Sequence, residues 1–165
     1  TSVFLIYEMF DLCVKFNDRK TRRKTLTEAF GGSLNLILWI LPILGGGYYS
    51  YRCLFATKGF VDEFGMGDGS VFMTRFAGTC VAASTVVGAV ALFSGPEGLW
   101  PIIAYGLVQS VLAAYFGYTT VNSEWAETEG VKATAEGYAA PIAFAVVYVI
   151  LMVRMSDILY STNHI

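Results

Sequence analysis

The chain has 165 residues, of which 55% are hydrophobic and only 15% charged, with a formal net charge of −2 and a mean hydropathy of +0.56. A soluble domain carries about a quarter charged residues, so this chain has too few to clothe a surface in water. The hydrophobicity excludes disorder, three cysteines exclude a disulfide-built secreted scaffold, and 11 Lys+Arg against 13 Asp+Glu exclude a nucleic-acid binder.

Residues 1–16 come first. Glu8, Asp11 and Lys15 recur at helical spacing, while Val3, Phe4, Ile6, Tyr7, Phe10, Cys13 and Val14 cover much of the remaining circumference. That pattern predicts an amphipathic helix lying in the membrane interface or docked on a neighbouring subunit. A start on Thr1 rather than Met fits the removal of an upstream targeting segment and an arbitrary chain boundary equally well. Residues 17–33 form a basic connector: Arg19, Lys20, Arg22, Arg23 and Lys24 place five of the eleven basic residues in six positions.

Residues 34–160 contain four apolar stretches, 34–55, 71–93, 99–121 and 138–158, each near the roughly 20 residues that a helix needs to cross a bilayer. No charge lies at the middle of any of them. Helices satisfy every backbone polar group within their own segment, and the alternating ten-residue strands of a membrane barrel are missing. The expected fold class is therefore all-α integral membrane, a four-transmembrane-helix bundle preceded by an amphipathic interfacial helix and followed by a tail, 161–165. Pro42 and the triplet Gly45, Gly46 and Gly47 mark the first span as the one to kink, whereas Pro101 and Pro141 are expected in first turns, where a missing N–H costs nothing.

The loops set the orientation. Lys58 faces Asp62, Glu63 and Asp68 in 57–70, and Lys132 faces Glu124, Glu127, Glu129 and Glu136 in 122–137. An excess of Lys and Arg marks the cytoplasmic side or its stromal and matrix equivalents. Both termini and the 94–98 turn are thus expected on that side, with the two acidic loops opposite. Each acidic loop follows an aromatic cluster (Tyr48, Tyr49, Tyr51 and Tyr115, Phe116, Tyr118), which hints at two helix–loop–helix halves. Stripes of small residues on the spans, among them Gly78, Ala82 and Thr85, then Gly106, Ser110 and Gly117, predict close helix packing.

A search for chemistry returns little. Neither a catalytic set nor metal-ligand spacing is present: Cys13, Cys53 and Cys80 are scattered, and the single histidine rules out a haem held by two of them. Two positions remain as cofactor candidates. Gln109, the one strongly polar side chain near mid-membrane, either hydrogen-bonds a neighbouring helix or offers an oxygen to a chlorophyll magnesium, a quinone or a lipid headgroup. His164 is either a polar tail residue or a pigment ligand at the interface. Gly65, Met66, Gly67, Asp68 and Gly69 lack the preceding strand that would make them a nucleotide loop, and read as a turn. Arg52 and Arg75 are expected to anchor the first acidic loop through Asp62 or Glu63.

The run Phe60, Val61, Asp62, Glu63, Phe64 and Gly65, followed by Arg75, Phe76, Ala77 and Gly78, resembles the small four-helix membrane proteins of the DoxX-like superfamily. The resemblance implies the four-span architecture and no catalytic residue. The whole sequence reads as a non-catalytic accessory subunit of a larger energy-transducing membrane complex, with the bilayer and other subunits as its partners. With 3 Trp, 10 Tyr and 12 Phe beside many Gly and Ala notches, an algal photosystem in the thylakoid is the expected host. A few peripheral chlorophylls, carotenoids or structural lipids are the expected cofactors. The mitochondrial inner membrane is the alternative home, in a respiratory or ATP-synthase complex, and a small-molecule transporter or channel the alternative function.

Overall fold

The computed structural model describes residues 25–127 and 130–161. The amphipathic helix expected at 1–16, the basic run 19–24 and most of the tail 161–165 lie outside the described residues. A capping box stands at Thr25. The Thr25 hydroxyl accepts from the Glu28 N–H (3.3 Å) and the Glu28 carboxylate accepts from the Thr25 N–H (2.8 Å), which starts the short helix α1 (Leu26–Ala29). Gly31 and Gly32 then turn the chain into α2 (Ser33–Leu54).

Four further helices follow: α3 (Thr57–Glu63), α4 (Val71–Ser94), α5 (Trp100–Val121) and α6 (Glu136–Arg154), before a final turn of helix, α7 (Ser156–Leu159). No strand is present among the described residues. Asp68–Ser94, α5 and α6 are long and apolar enough to cross a membrane. α2 equals α5 in length, 22 residues or about 33 Å at the helical rise. It is less apolar, because Asn35, the glycine triplet, three tyrosines and Arg52 dilute its Leu and Ile.

α2 packs along α4, and α5 along α6; α2 also touches α6, while α4 and α5 meet in fewer places. The arrangement is two antiparallel hairpins set side by side. Their shared core of Phe30, Trp39, Ala91, Ile103, Leu151, Met155 and Leu159 sits at one end, beside the 95–99 turn. In lipid there is no hydrophobic drive between helices, so close backbone approach has to supply the contact. Phe144 and Tyr148, one turn apart on α6, show how: the first lies over Gly45 of α2 and the second over Gly106 of α5.

Several boundaries differ from expectation. Thr57–Glu63 is helical rather than loop. The helix formed by the stretch 138–158 ends at Arg154, and Met155 separates it from α7. Pro42 lies within α2 without ending it. Pro141 is not in a first turn, because α6 begins at Glu136 and the proline falls inside the helix. There it deprives the Gly137 carbonyl of its regular donor four residues on, and that carbonyl is turned against the bare Cα of Gly117 on α5.

Candidate functional site

Polar side chains gather into two nodes at opposite ends of the bundle. At the core end, Asn35 is 2% exposed and its amide nitrogen donates to the carbonyls of Phe30 (3.0 Å) and Gly31 (3.3 Å). Both follow the end of α1, where a helix leaves carbonyls without intrahelical donors. The Asn35 Oδ1 accepts from the Nε of Arg154, the last residue of α6, at 2.8 Å. One turn along α2, the Trp39 indole N–H donates to the Gly88 carbonyl of α4 (3.0 Å), and its ring meets Phe30 edge-on at 5.3 Å. Four elements are tied together there.

The opposite node is built on α3. The Thr57 hydroxyl donates to the Cys53 carbonyl (2.7 Å) and accepts from the Arg75 Nε of α4 (3.2 Å). Arg52 pairs with Glu63, its guanidinium 4.8 Å from the centroid of Phe60 and 5.9 Å from that of Tyr48. Lys58 reaches Asp68 (3.0 Å) and Asp62 (3.3 Å). Gly65, at φ +63°, lets the first loop fold against the second: a β-carbon there would fall on the Gly130 carbonyl, and the Lys132 N–H donates to the Phe64 carbonyl at 3.0 Å. The two acidic loops are thereby clasped.

The hydrogen bonds from Lys58 to Asp68 and then Asp62 raise its pKa above the ordinary 10.5. A folded-state value that is raised makes the cluster's contribution complete below pH 10.5, to be lost only as pH climbs through the higher value. A Lys58 titration followed by side-chain NMR is expected to show a midpoint above 10.5, returning toward 10.5 in D62N/D68N. All three side chains are exposed, so the effect on global stability is small.

Gln109 is half-buried on α5, and none of the described residues hydrogen-bonds its amide. His164 and Cys13 lie outside the described residues. Cys53 is buried under Gly78 and Cys80 is half-buried; both thiols are free. Arg52 meets Glu63 as the loop-anchor expectation requires, whereas Arg75 turns to Thr57. The 65–69 run is a glycine turn opening a short 3₁₀ segment, Asp68–Ser70. No group of three His, Cys, Asp or Glu among the described residues is placed to hold a metal.

Sequence reasoning missed the Asn35–Arg154 pair, 119 residues apart. The available signal was an amide at the start of one apolar stretch and a guanidinium near the end of another, at ends expected to share one side. It also missed Ser50, whose buried hydroxyl has no partner among the described residues. Compared with protein families, with curated proteins and with solved structures, the chain finds no match.

Proposed function

We propose that the chain is a non-catalytic structural subunit of a larger membrane assembly, spanning the bilayer four times with α2 as the additional crossing. The observation that carries this reading is the division of labour over the surface. Glycines face inward and bring helices together, while bulky rings stand outward, among them Phe55, Phe72, Phe93, Tyr115 and Phe116, each exposed by 60% or more. An aromatic side chain covers about 150–250 Å² when buried, and flat rings on a helical face suit neighbouring helices or planar pigments. The four-span reading is supported by the length of α2 and by its alignment along α4. Both termini then share the side of the Arg154 node, with the clasped loops opposite.

Within that reading the host is an energy-transducing complex, a thylakoid photosystem in the specific form, with any chlorophyll, carotenoid or lipid bound peripherally. Isolation from native membranes in mild detergent, with comigrating mass and visible absorption recorded together, tests it. A large pigmented particle containing this chain is the expected result. A large colourless particle would keep the subunit role and move it to a respiratory or ATP-synthase-type assembly. Migration alone or as a small homo-oligomer would overturn it.

A further inference from the structure

We propose that the Arg154 corner is a binding site for the anionic headgroup of a membrane lipid. Arg154 is an exposed residue at the end of α6, yet it is not a freely swinging one. Its Nε is bonded to Asn35, and Asn35 is itself buried and held by two backbone carbonyls. One edge of the guanidinium is thus committed inward and the plane of the group is set. Its terminal nitrogens remain: the ion pairs among the described residues are those of Arg52 and Lys58 at the far end, and Asp157, three residues on, is not paired with Arg154. A planar guanidinium whose two terminal nitrogens no described residue engages matches the paired oxygens of a phosphate or sulfonate. Because its rotamer is already restricted, less entropy is lost on binding.

Another feature places a lipid rather than a soluble anion there. At the same end Trp100 and Tyr160, both partly exposed, pair with ring centroids 6.0 Å apart, the kind of rings that settle at headgroup depth.

The test uses the purified full chain in nanodiscs of phosphatidylcholine with a minority of phosphatidylglycerol, followed by native mass spectrometry of the lipids retained. The wild type is expected to keep phosphatidylglycerol selectively, and R154Q to keep about five- to tenfold less, the loss of one charge-assisted bidentate contact. N35L, which preserves the charge but frees the guanidinium, is expected to fall between them. R154K retains the charge for insertion, so it carries the test if R154Q does not fold, and it is expected to bind well below wild type. Retention in R154Q or R154K equal to wild type would overturn the site. Displacement of the lipid by inorganic phosphate would overturn its assignment to a headgroup. The isolated chain suffices, so the outcome is independent of whether a larger assembly exists.

Discussion

Trp39→Ala is expected to be among the most destabilising single substitutions in the chain, costing on the order of 3 kcal/mol, the lower end of the range for removing a buried Trp. The lower end applies because an apolar ring gains little from leaving lipid, so packing and the hydrogen bond carry most of its contribution. Trp39 is 3% exposed and belongs to the core that joins both hairpins. Its loss leaves the Phe30 ring without its edge-on partner and opens a cavity between α2 and α4 that the Gly88 backbone has no side chain to fill. Trp39→Phe separates the contributions. It retains a ring and loses the bond from the indole N–H to the Gly88 carbonyl, for about 1 kcal/mol. Unfolding by denaturant in mixed micelles should rank wild type above W39F and W39F well above W39A. Equal stabilities for the two variants would mean that packing at this end contributes little.

What could be read in advance was whatever one segment decides by itself. The helices that became α4 and α5 start and stop within a residue of the apolar stretches 71–93 and 99–121, since hydropathy and a terminal proline act locally. The stripe glycines also behave as their spacing predicts, with Gly78, Gly106 and Gly117 all at helix contacts. Features that depend on two distant segments stayed hidden. Nothing in 57–63 advertises a helix, because its order comes from Arg75 and from the pairing of Arg52 with Glu63. The clasp between Phe64 and Lys132 joins loops more than sixty residues apart through backbone atoms alone, which carry no sequence signal. Of the candidate site residues, Gln109 was visible because a mid-membrane amide is conspicuous. Asn35 and Arg154 matter more to the structure, but neither carries a local signal that names the other as its partner.

Gly117→Ala is expected to separate α5 from α6 at the clasped end, at a cost of about 2–3 kcal/mol, in the upper part of the range for overpacking. The reason lies on the facing helix. Pro141 cannot donate to the Gly137 carbonyl, and a carbonyl deprived of its helical donor has to find another neighbour. It lies against the Gly117 Cα, whose hydrogens offer the weak C–H···O contact available to a backbone approached this closely. A methyl at 117 meets that carbonyl oxygen directly, and a backbone oxygen in the first turn of α6 has no rotamer by which to retreat. Gly106→Ala is the informative control. Its methyl would stand 2.6 Å from the Tyr148 ring, equally crowded on paper, but a side chain can swing aside. G106A should therefore cost distinctly less than G117A, although it lies nearer the middle of the same interface. Spin labels at the ends of α5 and α6 should report a longer distance in G117A and an unchanged one in G106A. The Tyr118–Tyr138 edge contact, with centroids at 5.5 Å, should be lost with the first and kept with the second. If the two variants were equally destabilised with the helix ends still in register, the orphaned carbonyl would not be what fixes the spacing of this hairpin.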